Sequence, residues 1–188
     1  MWHNWAGNIQ SQPQEIIVVE SEAQLVSIVK QAANERRRVK VVGSGHSCSA
    51  IAGSDGACLV SLDKLNALVA VDHQTGHVTV QAGIRLGALN RLLDEHGLAM
   101  PNLGTIDVQS IAGAISTATH GTGLRYGTLS SFVVRLRLVL ANGEVVETSA
   151  DHHPALFQAA RTGLGSIGII TEVTLACVPK FNIQMWQS

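Results

Sequence analysis

The chain has 188 residues, of which 46% are hydrophobic and only 14% are charged, and its formal net charge is −1. This length allows one large domain or two small lobes, with a hydrophobic core that needs no disulfide or metal. A net charge near zero argues against nucleic acid as a partner, because nucleic-acid binding depends on a basic surface. The low charged fraction predicts either a large buried ligand or a surface that normally faces another domain.

Three further features concern the cellular compartment. No segment reaches the roughly 20 apolar residues of a membrane-spanning helix, so we expect no transmembrane segment. Residues 2–5 lack the basic and apolar regions of a secretory signal. The three cysteines have no CxxC spacing, which favours a reducing compartment and argues against zinc. We therefore expect a cytoplasmic protein, and peripheral membrane association of the complete protein stays open.

Residues 12–62 predict a small lobe built on a strand, a helix and a second strand. The apolar run 16–19 is typical of a short buried strand, and Ser21 and Gln24 form a capping box that begins a helix. Residues 39–42 predict the second strand, which a right-handed crossover would make parallel to the first. The helix between them carries one apolar face, formed by Leu25, Ile28, Val29, Ala32 and Ala33.

Residues 63–180 predict a larger, mainly antiparallel lobe. Strand patterns at 68–71 and 78–80 form a hairpin, and a leucine-rich helix then ends at Gly97. The turn Asn142-Gly143 joins two further strands, Pro154 begins a short helix, and alternation over 167–177 predicts a long final strand. The predicted fold class is α+β, with two lobes.

A glycine-rich turn, Gly43-Ser44-Gly45, follows the second strand directly. Glycines let backbone N–H groups converge on a phosphate, although an ordinary loop explains the same residues. The third glycine of the dinucleotide fingerprint would fall at Cys48, and no Gly-Lys-Ser or Gly-Lys-Thr is present. The sequence therefore gives little support for an ordinary nicotinamide-binding or ATP-binding site.

Two more segments are rich in small residues. In the segment 102–123, Ser110 can cap a short helix in which Gly113 leaves room for a pyrophosphate near the helix N-terminus. A small-residue helix packed tightly on a sheet explains the same pattern. The segment 163–168 is again rich in glycine. Three such segments are more than one phosphate loop needs.

His46 stands between Gly45 and Ser47, where it has little apolar packing. Taken alone, it has the features of an exposed loop histidine. No two histidines share a helix at the i, i+4 spacing of a metal site, so we expect no metal. The sequence also lacks a Gly-x-Ser-x-Gly nucleophile motif and paired acidic residues, which argues against hydrolysis.

Five short segments occur in a specific order along the chain: VVGSGHS at 41–47, NLGT at 102–105, AG at 112–113, THGTG at 119–123 and LGSIGIIT at 164–171. This ordered set resembles the FAD-binding domain of the vanillyl-alcohol oxidase family of flavoproteins. Within that family, the sugar-lactone oxidases and alditol oxidase have the most similar pattern. Each segment alone is weak evidence, whereas the ordered set is specific and covers nearly the whole chain.

The resemblance implies that FAD is the cofactor and that His46 is bonded covalently to the 8α-methyl carbon of its flavin. A neutral imidazole nitrogen is a suitable nucleophile for that bond. The turn residues Val42, Gly43, Ser44, Gly45 and Ser47 would wrap the pyrophosphate. The family pattern places further cofactor contacts at Gly104, Thr105, Ser110, Gly113, Thr117, Ala118, Thr119, His120, Gly168 and Ile169, the last two beside the adenosine.

Members of the family continue beyond the position of Phe181 into a substrate-binding cap domain, whereas this sequence stops at Ser188. We therefore expect residues 1–180 to form the FAD-binding domain and residues 181–188 to begin a substrate domain that the sequence lacks. The catalytic base and the substrate contacts are not assigned. The low charged fraction agrees with a face that meets such a cap.

The activity implied for the complete protein is FAD-dependent oxidation of a sugar lactone or polyol, with oxygen as acceptor and hydrogen peroxide as product. Gly104 would lie beside the reactive edge of the flavin and leave a path for oxygen. Two alternatives stay open. One is an FAD-binding module without turnover, and the other is a dehydrogenase that passes electrons to a protein acceptor.

Overall fold

The computed structural model describes residues 1–184, in which helices and two main sheets confirm the expected α+β class. A short antiparallel pair, β1 (Trp2–His3) and β2 (Gln10–Ser11), precedes the main sheets. The lobe boundaries 12–62 and 63–180 stay predictions. Residues 181–184 have no regular secondary structure. The rest of the expected start of a substrate domain, 185–188, lies outside the described residues.

The first main sheet is parallel and has three strands, in the order β3-β5-β4. Its elements in chain order are β3 (Glu15–Val18), α1 (Glu22–Asn34), β4 (Val39–Val42) and β5 (Cys58–Ser61). The predicted strand-helix-strand unit is confirmed, but its two strands are not neighbours, because β5 lies between them. All four residues of β5 are buried, as is usual for the central strand of a parallel sheet.

Helix α1 begins much as predicted. Ser21 Oγ accepts a hydrogen bond from the Gln24 backbone N at 3.2 Å. The Gln24 side chain reaches back one residue further than a standard capping box, because its Oε1 accepts from the Glu20 backbone N at 2.8 Å. Leu25, Val29 and Ala32 are buried, whereas Ala33 is exposed. The apolar face is therefore narrower than predicted.

The second main sheet is antiparallel and has five strands, in the order β10-β9-β11-β7-β6. Its strands are β6 (Leu68–Asp72), β7 (His77–Gln81), β9 (Val133–Val139), β10 (Val145–Ser149) and β11 (Ile169–Ala176). Between and after them lie α2 (Leu86–Glu95), β8 (Leu98–Ala99), α3 (Ile111–Ser116), α4 (Pro154–Arg161) and β12 (Val178–Pro179), of which β8 and β12 pair with each other. The final long strand begins at Ile169, two residues later than predicted, so residues 163–168 stay in a loop.

One hydrophobic core joins the two sheets. It includes Leu25 and Val60 on the parallel side and Leu89, Leu138 and Leu175 on the antiparallel side, all of them 0% exposed. This shared core fixes α1 and β4 relative to β9 and β11. Within residues 1–184, no helix combines the length and apolar character that crossing a bilayer requires.

A polar cluster also ties α1 to the antiparallel sheet. Arg137 on β9 donates two hydrogen bonds to Glu22, from Nε at 2.8 Å and from Nη2 at 3.0 Å. Thr171 Oγ1 on β11 donates a third at 2.7 Å, and Arg137 Nη1 also donates to Glu147 at 2.9 Å. Burial acts to raise the pKa of Glu22, but the hydrogen bonds from Arg137 and Thr171 outweigh it and hold the pKa below its usual value.

We expect Glu22→Gln to lower the free energy of unfolding by about 2 kcal/mol at pH 7, because it removes charge-assisted hydrogen bonds to a partly buried group. A carboxyl with a lowered folded-state pKa stabilises the fold above its unfolded pKa, near 4.3, and loses that contribution as the pH falls through the folded pKa. The difference from the unmodified protein should therefore shrink below about pH 4. Urea unfolding at a series of pH values measures it.

Glu147→Gln is the matched control, because Glu147 bonds the same arginine but its side chain is 47% exposed. We expect it to cost less than about 1 kcal/mol. Glu172 titrates in the opposite sense, since burial raises its pKa, and the carboxylates of Glu22 and Glu147 raise it further. Each of the two variants removes one of these carboxylates, so the comparison between them limits the effect of Glu172. Equal losses in both variants, or a Glu22→Gln difference that persists at low pH, would contradict the assignment.

Candidate cofactor-binding site

A cleft of about 560 Å³ lies where the parallel sheet meets α3 and the end of β9. Its volume falls within the range of small-molecule and cofactor sites. Most of the residues expected to contact FAD line it. They are Val42, Gly43, Ser44, Gly45, His46, Ser47, Ser110, Gly113, Thr117, Gly168 and Ile169. The fold thus brings three separate segments of the chain together around one cavity.

The glycine turn after β4 packs directly on the start of α3. A Cβ atom on Gly43 would overlap Ser110 Oγ and would lie 4.0 Å from the Gly113 Cα atom. Ser110 Oγ accepts a hydrogen bond from the Gly113 backbone N at 3.3 Å and so caps α3. This wall of the cleft is therefore made of backbone and a hydroxyl group, which leaves it open to a large polar ligand.

Gly168 also lines the cleft. A Cβ atom there would lie 2.9 Å from the Val139 carbonyl oxygen at the end of β9, so only glycine fits without a shift. Leu140 and Ala141 also line the cleft, as do Ala32 and Ala33 of α1. These residues contribute small and apolar groups, which suit a flat ring.

The sequence predicts that Ala32 and Ala33 lie on the apolar face of α1. In the structure both line the cleft, with Ala32 buried and Ala33 exposed. The helical periodicity showed only that these residues share an apolar face. It gave no signal that part of this face borders a cavity.

His46 is held on two sides. Its Nδ1 lies 3.1 Å from the Ser44 carbonyl oxygen, and since a carbonyl only accepts, this is a hydrogen bond when Nδ1 carries the proton. The Trp5 indole stacks on the imidazole, with ring centroids 5.2 Å apart and an interplanar angle of 18°. His46 is partly buried and lines the cleft, unlike the exposed loop histidine that its sequence neighbours also allowed.

The remaining expected contacts lie beside the cleft and do not line it. Gly104 packs on the segment 118–120, since a Cβ atom there would lie 3.1 Å from Thr119 Cγ2 and 3.4 Å from the His120 carbonyl oxygen. Thr105 and His120 are exposed, and Ala118 has a left-handed backbone, with φ 58°. These residues form one neighbouring surface, and their contact with the cofactor stays a prediction.

Gln109 is a candidate that the sequence analysis missed. It lines the cleft, and its Nε2 donates to Thr119 Oγ1 at 3.2 Å. Its Oε1 is buried and has no hydrogen-bond partner among the described residues. A buried acceptor without a donor is costly, so a donor on a ligand would stabilise this side chain. The only signal in the sequence that could have indicated Gln109 is its position in the segment 102–123.

Two of the three cysteines, Cys58 and Cys177, are buried. Burial raises the pKa of the Cys58 and Cys177 thiols to about 11, so both stay protonated near neutral pH. Within residues 1–184, no three His, Cys, Asp or Glu side chains are grouped so that they could hold a metal ion.

Residues 13–149 match the family described as the FAD binding domain. The chain belongs to this family. Several curated relatives of this FAD binding domain are similar over nearly its whole length. The chain is 47% identical over 98% of its residues to a putative D-arabinono-1,4-lactone oxidase of Neurospora crassa, 44% over 97% to an L-gulono-1,4-lactone dehydrogenase of Mycobacterium tuberculosis, and 41% over 97% to an L-gulonolactone oxidase of Bos taurus.

These relatives confirm the expected resemblance to sugar-lactone oxidases. The FAD binding domain described here spans only 33% of the Neurospora relative, 42% of the Mycobacterium relative and 41% of the bovine one. The similarity therefore concerns the part of those proteins that corresponds to this chain.

Proposed function

We propose that the chain binds FAD in the cleft and that the complete protein uses it to oxidise a CH–OH group of a sugar lactone or polyol, with oxygen as acceptor and hydrogen peroxide as product. The observation that carries this proposal is the packing of the Gly43 turn against Ser110 and Gly113, which forms an open backbone wall in a chain of the FAD binding domain family. The names of the relatives favour a lactone over a polyol.

The residues present fit FAD at several points. The backbone of residues 43–47 can donate N–H groups to the pyrophosphate, and Ser110 and Thr117 add hydroxyl groups nearby. Ala32, Ala33 and Leu140 are small or apolar residues of the cleft lining that would suit the adenine ring. The unpartnered Gln109 Oε1 can accept a hydrogen bond from the cofactor.

We also propose that a ring nitrogen of His46 is bonded covalently to the flavin. The support for it is the placement of His46 on the cleft wall, in the same turn that would hold the pyrophosphate. A covalent bond would keep the cofactor in place through every turnover. When bound, the flavin supplies the hydride acceptor, and this chain supplies its binding and orientation.

The domain limits and the location follow the same proposal. Residues 1–180 would form the FAD-binding part, and the substrate contacts would come from a cap domain beyond them. A cytoplasmic location is supported by the cysteines Cys48, Cys58 and Cys177, which are all free.

Titration of the purified, flavin-free protein with FAD tests the binding proposal. We expect one FAD per chain, and we expect Ala33→Trp to weaken binding by about tenfold or more, since burying a ring of adenine's size is worth about 2 kcal/mol. Ala23→Trp is the matched control, because Ala23 is also exposed on α1 but does not line the cleft. No FAD binding by the unmodified protein, or equal weakening by both variants, would contradict this site.

A dehydrogenase is the second candidate, because the Mycobacterium relative carries that name. The electron acceptor separates the two activities: an oxidase forms hydrogen peroxide from oxygen, whereas a dehydrogenase needs another acceptor. A flavin module without turnover is not favoured, since the relatives are named as oxidases and dehydrogenases. Peroxide formation and reduction of an artificial dye, both measured on the complete protein with a sugar lactone, distinguish all three. An oxidase gives peroxide, a dehydrogenase reduces only the dye, and a module without turnover does neither.

We expect Gly104→Ala to slow reoxidation of the reduced flavin by oxygen by roughly tenfold, while reoxidation by an artificial dye stays nearly unchanged. The added methyl group would narrow a path to the flavin's reactive edge. Stopped-flow measurement after chemical reduction compares the two acceptors, and it should use the complete protein, so that the flavin has its normal exposure.

The structure supplies the control for this variant. The alanine Cβ would lie 3.1 Å from Thr119 Cγ2, so Thr119 must also shift slightly. Thr119→Ser removes that methyl group and keeps the hydroxyl that bonds Gln109. If oxygen also reoxidises the flavin slowly in the double variant Gly104→Ala/Thr119→Ser, the added methyl group blocks the path of oxygen. If oxygen reoxidises the flavin at the normal rate in Gly104→Ala itself, Gly104 does not control oxygen access.

A further inference from the structure

The N-terminal segment, residues 1–11, holds the turn that carries His46. Asn4 is only 2% exposed, and its Nδ2 donates to the Ser47 carbonyl oxygen at 3.0 Å and to Asn8 Oδ1 at 2.7 Å. Asn8 Nδ2 in turn donates to the Cys48 carbonyl oxygen at 3.1 Å. Asn8 is exposed, but the buried Asn4 amide, whose Nδ2 group makes both of its hydrogen bonds, orders the backbone it touches, so this segment fixes the C-terminal side of the turn.

Trp5 is placed on the same turn by its backbone. Its N–H donates to the Gly45 carbonyl oxygen at 2.8 Å, which sets the indole beside the next residue, His46. The two rings stack at 5.2 Å and 18°, yet Trp5 is 72% exposed. A tryptophan that remains so exposed contributes little to the core. Its ordered contact with the imidazole is the feature that calls for an explanation.

We infer that Trp5 is a positioning residue for the attachment of flavin to His46. The stack fixes the plane of the imidazole, and the Nδ1 contact with the Ser44 carbonyl oxygen fixes its rotation within that plane. A bond-forming step depends steeply on such orientation, because a misplaced nucleophile must be reoriented before it can react. This inference rests on the proposed covalent link.

The attachment itself is a two-electron oxidation. The bond joins a His46 ring nitrogen to the 8α carbon, one hydrogen leaves that carbon and one leaves the imidazole, and both depart as protons. The two electrons reduce the flavin, and dioxygen then takes them up with the two protons to give hydrogen peroxide. Trp5 takes no part in this electron transfer and acts only through the orientation of His46.

The test mixes flavin-free protein with FAD and follows the flavin that stays on the polypeptide after acid precipitation, as a function of time. We expect Trp5→Leu to slow this attachment roughly tenfold, because without the aromatic stack the His46 imidazole is no longer held in the reactive orientation. Trp5→Phe keeps a ring for stacking and should restore most of the rate. Reversible FAD affinity, measured before attachment proceeds, should be nearly equal in all three proteins.

Ile16→Ala is the matched control, because Ile16 is 50% exposed on β3 and does not line the cleft. It should attach flavin at the normal rate. The proton chemical shifts of the His46 ring give a second readout without flavin: Trp5→Leu should remove the ring-current shift of the stacked indole, and Trp5→Phe should retain part of it.

The possible outcomes separate the role of Trp5 from the proposals of FAD binding and of the covalent link to His46. No FAD binding by the unmodified protein would overturn the proposed function. Reversible binding without attachment would overturn the covalent link and this role of Trp5 together. Attachment at the normal rate in Trp5→Leu would overturn the role of Trp5 alone. Slow attachment in both Trp5→Leu and Trp5→Phe would also contradict it, because the stack would then not be the cause.

Discussion

All flavin should leave the protein on acid precipitation when His46 is replaced by alanine. The unmodified protein should keep its flavin in the precipitate, and its intact mass should exceed that of the polypeptide by one FAD. The variant should still bind FAD reversibly, because the backbone wall formed by Gly43, Ser110 and Gly113 does not involve the imidazole. Intact-mass measurement and the absorbance of the acid supernatant give the two readouts.

His120→Ala is the matched control for this experiment. His120 is the other histidine expected to contact the cofactor, but it is exposed and lies outside the cleft lining, where its Nδ1 contacts the Gly121 carbonyl oxygen at 2.9 Å. This variant should retain acid-stable flavin. Flavin that is released from the unmodified protein by acid would disprove the covalent link and leave FAD binding intact. Acid-stable flavin in His46→Ala would place the bond on another residue.

Local sequence patterns predicted most of the secondary structure. The alternation along β9 and β11 and the Asn142-Gly143 turn depend on neighbours within a few residues, and both appear in the structure. The turn glycine has φ 77°, a conformation that favours glycine over other residues. Strand β5 was not predicted from the sequence, because a short, fully buried run has no alternation of apolar and polar residues that would mark it as a strand.

The site was predictable where a segment has its own signature, and not where a role depends on distant partners. The Gly43 turn and the Ser110 cap each had a local pattern, but their contact with each other did not. Gln109 became a candidate only when its unpartnered Oε1 was seen on the cleft. Trp5 was similar: the sequence contains no periodicity that connects it with His46, and only the fold brings the two rings together.

Gly113→Val should abolish most FAD binding while the fold persists. An added Cβ atom would lie 3.1 Å from Ser110 Oγ, and the two further methyl groups of valine would project from the same wall of the cleft. Overfilling a packed site costs typically 1–3 kcal/mol, which corresponds to a loss of affinity of up to about 100-fold. The fold should survive, because the buried residues Ile111, Ala114 and Ile115 still anchor α3.

Ser110→Ala separates added bulk from loss of the helix cap. The valine side chain of the first variant would crowd the Ser110 hydroxyl and weaken its hydrogen bond from the backbone N–H at position 113, which costs about 1 kcal/mol of stability. Ser110→Ala loses the same cap and adds no atoms to the cleft. Thermal unfolding should therefore give similar losses of stability for both variants, whereas FAD titration should show the large loss of affinity for Gly113→Val alone. Normal FAD binding by a folded Gly113→Val protein would show that α3 is not part of the site. An equally large loss of FAD affinity in Ser110→Ala would assign the effect to the hydroxyl group and not to steric blockage.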